Sequence, residues 1–246
     1  GNTDFSMLRN TSATRINSAG LVQLQGSNIM RIDYTSGTPM ILDELQATNL
    51  VFPSKDFSDV GWTKSLVALT TGQLDPQGNN TAILVAKQVG DNPFLLNPYN
   101  PSNVLTHGRQ IWAKTTSGTG TISLLAHNSN LNSRFTITNN WQKFTLKGYN
   151  STGANNIYAV DFRFGNLSEV LLWEAQAETG NSSSSIFTTN AAVTRNEDVL
   201  TVTPPVGTVR ITTTFLDNTT QVLNTIPATF TLPSGQVRQT VFQNSL

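Results

Sequence analysis

Apolar and polar residues alternate along most of this chain with a period of two. Such runs lie at 82–86, 109–114, 121–126, 134–138, 142–146, 158–164 and 169–173, with loops between them. A strand projects successive side chains to opposite faces, so this alternation predicts half-buried strands. Many short strands separated by roughly ten residues predict an all-β chain folded as an antiparallel sandwich. Residues 1–48 are patterned differently. Gly20–Gln25 reads as one strand and Asn28–Tyr34 as another, with Ile29, Arg31 and Asp33 on one face and Met30, Ile32 and Tyr34 on the other. Two such strands cannot bury a core by themselves. This arm is therefore expected to pack on the following domain or on another subunit.

The segment 177–196 is rich in Ser and Asn and lacks periodicity, which predicts a linker. Beyond it, 198–203, 209–215, 221–223, 228–232 and 237–242 read as strands, with turns at Asp217-Asn218 and Pro233-Ser234-Gly235. The expected organisation is an N-terminal β arm (1–48), a sandwich (49–176), a linker (177–196) and a small C-terminal β domain (197–246).

Composition narrows the function. The 246 residues carry a formal net charge of +0, and only 12% are charged, so no electrostatic drive toward nucleic acid or anionic lipid is expected. Thr, Ser and Asn replace the missing charge, which suits strands and turns. With 37% hydrophobic residues the chain is expected to fold rather than stay disordered. There is no cysteine, hence no disulfide and no thiolate zinc site. No apolar run reaches the length of a membrane span, and no basic stretch followed by an apolar core marks a signal peptide.

Signals for catalysis are thin. His107 and His127 are the only histidines, and no nucleophile, phosphate-loop or metalloprotease motif is present. The clustered acids Asp161, Glu169, Glu174 and Glu178 read as surface or structural carboxylates rather than a hydrolytic pair. No catalytic residue, metal or cofactor is expected. Sugar binding is better served, since it needs an exposed ring and polar groups that reach hydroxyls. Trp112, Trp173 and Trp141 are expected in the core, while Trp62 suits either role. The 91–101 loop is stiffened by three prolines and offers Tyr99 and Asn97; a second polar cluster is formed by His127, Asn128, Asn130, Asn132 and Arg134. The candidate ligand-binding residues are Tyr99, Asn97, His127, Asn128 and Arg134.

Two stretches carry a resemblance. The run Trp173-Glu174-Ala175-Gln176-Ala177-Glu178, continuing through Gly180 and Ser184-Ser185-Ile186-Phe187-Thr188-Thr189 to Thr194-Arg195, resembles a junction in bacteriophage head- and tail-fibre proteins. The opening Phe5–Gly20, with Arg9 and Ala13-Thr14-Arg15, resembles the start of the same proteins. Between them, Asn140–Thr145, Val170–Trp173 and the loop at Asp56–Ser65 resemble a carbohydrate-binding-module jelly roll. The resemblance implies a non-enzymatic virion component. It would form part of a surface appendage, a homotrimer assembled with other virion proteins, in contact with host-surface glycans. Two alternatives stand beside it: an assembly-only capsid decoration or tail adaptor, and a carbohydrate-binding module of a polysaccharide-degrading enzyme.

Overall fold

The computed structural model describes residues 5–98, 107–125, 133–148, 157–181 and 183–244. The regular elements among them are β-strands, and the sheets of both units are built by antiparallel pairing. The chain forms two compact units, one made of 1–47 together with 195–246, the other of 48–194. The expected division into arm, sandwich, linker and C-terminal domain is corrected on this point. The arm and the C-terminal stretch are two halves of one unit, and the sandwich is inserted between them.

In the first unit, β1 (Phe5–Leu8), β2 (Ala13–Ile16), β3 (Val22–Gln25), β4 (Arg31–Asp33) and β5 (Met40–Asp43) precede the insertion. The chain leaves along β6 (Ala47–Asn49) and returns along β17 (Val193–Arg195). It then adds β18 (Val199–Val202), β19 (Arg210–Phe215), β20 (Thr220–Leu223), β21 (Phe230–Thr231) and β22 (Gly235–Gln243). Sheets of order β1-β18-β21 and β20-β19-β22-β5-β4 bury Leu200, Val202, Ile211, Phe230, Leu232 and Val237, against which Met7 and Ile41 pack. The apolar surface that the arm lacks is thus supplied by strands some two hundred residues later, Met7 pairing with Leu200 and Ile41 with Val237.

On β4 the charged face is the buried one. Arg31 and Asp33 are inside, while Ile29 and Met30 are exposed. Arg31 bonds Glu44 (2.8 Å) and Asp198, and Arg9 bonds the other oxygen of Asp198 (2.7 Å). Arg195 closes the group at 3.6 Å from Glu44. Arg9 and Arg195 also donate to backbone carbonyls, among them those of Gly26 and Leu45 (both 2.6 Å). Buried charge survives only when it is paired and hydrogen-bonded in this way.

The second unit is the sandwich. Its strands are β7 (Thr63–Ser65), β8 (Val67–Gln73), β9 (Ala82–Lys87), β10 (Phe94–Asn97), β11 (His107–Lys114), β12 (Gly120–Ser123), β13 (Arg134–Ile137), β14 (Gln142–Gly148), β15 (Ile157–Gly165) and β16 (Glu169–Thr179). One sheet has the order β13-β12-β15-β10-β7 and the other β14-β11-β16-β9-β8. Between them lie Phe57, Trp62, Val85, Leu95, Ile111, Ile122, Leu124, Val160, Phe162, Val170 and Leu172, among others. Trp62 belongs to this core, with its indole N–H on the Pro53 carbonyl (2.9 Å). Part of the expected 91–101 loop is strand β10, flanked by Pro93 and Pro98, because Leu95 is core and pairs with Val160.

Candidate functional site

The outer faces of the two sheets differ. On the β14-β11-β16-β9-β8 sheet, Gln110 and Trp112 of β11 and Trp173, Gln176 and Glu178 of β16 face outward and are nonetheless buried. A bulge between Ile111 and Trp112 inserts Glu174 as an extra residue with a left-handed backbone (φ 48°). The cover is the Ser-rich segment 183–190, the stretch expected to be a linker. The Ser183 hydroxyl donates to Glu178 (2.9 Å) and the Ser185 hydroxyl to Glu174 (3.0 Å), while the Ile186 N–H donates to Gln176 Oε1 (2.7 Å). Trp112 donates to Ser185 Oγ (3.3 Å), and Thr188 donates to the Val51 carbonyl (2.6 Å). The junction run therefore encodes a strap and its socket. Burial pushes the Glu174 carboxyl up to about 8, opposed in part by the Ser185 hydrogen bond. Trp112 and Trp173 are buried as expected, but under this strap rather than between the sheets.

On the β13-β12-β15-β10-β7 sheet, Arg134, Ser123, Asp161, Phe94 and Ser65 oppose one another across five strands. Directly opposed residues share a face, and this is the face away from the core, since Ile122, Leu124, Leu95 and Val160 point inward. A second rank holds Tyr158, Leu96 and Thr63. A bulge in β15 makes this arrangement. Leu95 pairs with Val160 but Leu96 with Tyr158, so Ala159 is extra, and Tyr158 and Asp161 both face outward. Gly165 closes the same strand (φ 143°). A Cβ there would collide with the Thr121 carbonyl, so only glycine lets β12 approach at that point.

Asp161 is buried and holds Arg163 in a fork: Nε donates to Oδ1 (2.8 Å) and Nη2 to Oδ2 (2.6 Å), and the Arg163 N–H also donates to Oδ1 (3.0 Å). That fork raises the guanidinium pKa. The guanidinium carbon lies 5.5 Å from the Phe94 ring centre and 5.6 Å from those of Tyr158 and Phe164. Phe94 and Tyr158 meet edge to face at 5.2 Å. The Ser123 and Ser133 hydroxyls are bonded at 2.6 Å. The result is a rigid floor with Phe94 half-buried and Arg163 and Arg134 open to solvent. Pre-placed aromatic and planar cationic groups of this kind can stack on a ligand ring and donate to its oxygens.

Of the residues expected from sequence, Arg134 stands on this face, exposed at its edge. Asn97 is buried, and its amide donates to the Phe52 and Gly61 carbonyls (3.4 and 3.3 Å), so it is spent inside the fold. Tyr99, His127 and Asn128 lie outside the described residues. Trp141, expected in the core, is half-exposed, with its N–H on the Leu74 carbonyl (3.2 Å) and Lys114 over its ring at 5.3 Å. Phe94, Tyr158, Asp161 and Arg163 were missed as a group. The spacing of Asp161 and Arg163 was visible, but the bulge that joins them to Tyr158 was not. Among the described residues no cluster of His, Cys, Asp and Glu could hold a metal ion.

No protein-family model matches the sequence, and no curated protein is similar to it. Among solved structures, the chain is similar to the CBM22-1 xylan-binding domain of Paenibacillus barcinonensis Xyn10C (12% identity over 56% of this chain and 94% of that one, TM-score 0.38). It is also similar to the CBM22-1-GH10 modules of Clostridium thermocellum Xyn10B complexed with xylohexaose (13% identity, 55% and 29% covered, TM-score 0.37). A third likeness is to the enzymatically active domain of bacteriophage CBA120 tailspike protein 4 (18% identity, 54% and 21% covered, TM-score 0.34). At these TM-scores the likenesses carry no weight for function.

Proposed function

We propose that this chain is a non-catalytic part of a bacteriophage surface appendage, a head or tail fibre, and that its sandwich binds host-surface glycan at Arg163 and Phe94 on the outer side of the β13-β12-β15-β10-β7 sheet. One observation carries the glycan reading: a guanidinium locked on Asp161 among the rings of Phe94, Tyr158 and Phe164, with Arg163 itself exposed. A rigid site loses little entropy on binding. Shallow sugar sites are weak singly, so function would depend on several copies acting together. The virion setting is supported by the two sequence stretches that resemble fibre proteins. Both fall on structural networks, one around Arg9 and Asp198, the other around the strap.

Adsorption of the purified protein to host cells tests this reading. Wild type should adsorb, and Arg163→Ala should adsorb at least tenfold less. Failure of wild type to adsorb to any susceptible host would leave the assembly-only alternative. That alternative has its own support, because Phe5 and Leu8 are exposed on the edge strand β1, where copies or neighbouring virion proteins could meet. Light scattering should give a trimer mass, and a monomer at high micromolar concentration would contradict it. Release of reducing sugar from bound polysaccharide would establish an enzyme instead.

A further inference from the structure

The end of the strap forms one wall of a cleft in the second unit, about 480 Å³ in volume and open to solvent. Three other pieces of chain form the rest: the loop 53–59, the bulged part of β8 and the start of β9. Each wall is fixed by hydrogen bonds of its own. The Thr188 N–H donates to Ser54 Oγ (2.9 Å) and its hydroxyl to the Val51 carbonyl (2.6 Å), which ties strap to loop. In the loop, the N–H groups of Asp59 and Trp62 close successive turns on the carbonyls of Asp56 and Asp59 (3.3 and 3.1 Å). The Trp173 N–H holds the Thr81 hydroxyl at the start of β9 (3.0 Å). On β8, Thr70 pairs with Leu84 but Gln73 with Ala82, so one residue is extra. Gly72 takes the left-handed backbone there (φ 80°).

The polar groups left over define the ligand. Asp56 Oδ1 accepts the Ser58 N–H (3.0 Å) and Asp59 Oδ1 the Gly61 N–H (2.7 Å), while Oδ2 of each takes part in no hydrogen bond among the described residues. Lys55 rests its ammonium over the Phe187 ring (4.3 Å to the centre) and makes no ion pair among the described residues. The side chains of Thr71, Asn80, Thr189 and Asn190 are exposed and also unbonded among the described residues. Donors and acceptors are therefore interleaved, and Pro53 and Ile83 add apolar surface between them. A sugar has the matching pattern: each hydroxyl both donates and accepts, and the C–H faces are apolar. Two carboxylates against one ammonium disfavour an acidic ligand. The volume lies within the roughly 300–1,000 Å³ of small-molecule sites. We infer that this cleft is a second saccharide site, built from none of the residues around Arg163, and that it takes a neutral mono- or disaccharide.

Titration of the labelled intact chain with glucose, galactose, mannose, N-acetylglucosamine, lactose and maltose, beside glucuronate and galacturonate, tests this by magnetic resonance. At least one neutral sugar should shift the signals of Lys55, Asp59, Asn80, Thr189 and Asn190. Its dissociation constant should be on the order of 1 mM, the strength open to a ligand of about a dozen heavy atoms. Either uronate should bind roughly fivefold more weakly than the tightest neutral sugar. Asn190→Ala should weaken binding roughly fivefold through the lost amide bonds, and Thr71→Trp, which fills the cleft, should abolish it. Both positions are exposed, so both variants should melt with wild type. Arg163→Ala should leave this binding unchanged. A uronate that binds as tightly as any neutral sugar, shifts centred on Arg163 and Phe94, or binding that survives Thr71→Trp overturns the inference and leaves the glycan reading standing. No shift with any of these sugars also overturns it, while adsorption to host cells decides the glycan reading separately.

Discussion

Replacing Glu174 by Gln should change how stability depends on pH. Glu174 is fully buried under the strap, and burial lifts its carboxyl from the ordinary value of 4.5 to about 8. Between these values the folded protein holds a proton that the unfolded chain releases. Stability associated with this group is therefore complete below about pH 4.5 and is lost as pH rises toward 8. The slope is about 1.4 kcal/mol per pH unit. From pH 5 to pH 8 wild type should lose on the order of 4 kcal/mol through this residue. Gln carries no such proton, and its carbonyl can still accept from the Ser185 hydroxyl, which reaches Glu174 at 3.0 Å. Urea titrations of both proteins at unit pH steps from 5 to 9 read the effect. Asp43, raised to about 6 chiefly by burial and then by the charge of Asp198, slopes the same way at lower pH but is common to both proteins. Glu174→Gln should gain steadily on wild type up to about pH 8 and level off above it. Parallel curves with a constant offset would mean that Glu174 titrates normally and that the strap does not exclude water.

Further expectations follow from the same contacts. Asp198→Asn should destabilise the first unit by roughly 3–5 kcal/mol, because Arg9 and Arg31 would remain buried without their shared anion; chemical denaturation would show it, and a change under 1 kcal/mol would mean that the arginines find water. Trp112→Ala and Trp173→Ala should each cost roughly 3–5 kcal/mol and lower the melting temperature without touching glycan binding, since both rings lie under the strap. A melt unchanged within a degree would place that ring at the surface. Trp141→Ala, by contrast, should cost less than either, as its ring is half-exposed.

The strands of the sandwich were legible because each alternates locally. The same rule left the fate of Arg31 and Asp33 undecided. Alternation names two faces but not which one is buried, and here the charged face wins through partners 13 and 167 residues away. The two-unit organisation was invisible for a related reason, since the pairing of Met7 with Leu200 leaves no local trace. Strand β10 was hidden by its flanking prolines and the strap by its serines, whose turn-like composition says nothing of the carboxylates waiting on β16. Within the site, Arg134 was reachable as an isolated charge in a polar cluster. Phe94 and Tyr158 were not, because the extra residue at Ala159 shifts the phase of β15 and only the folded ladder reveals it.

The most direct test of the account is a map of amide chemical-shift changes as oligosaccharide released from the host surface is titrated into the labelled protein. Glycan binding at Arg163 and Phe94 predicts changes concentrated on Phe94, Tyr158, Asp161, Arg163 and Phe164, saturating with one affinity. Changes centred instead on Trp141, or on Phe5 and Leu8 of the first unit, would contradict it.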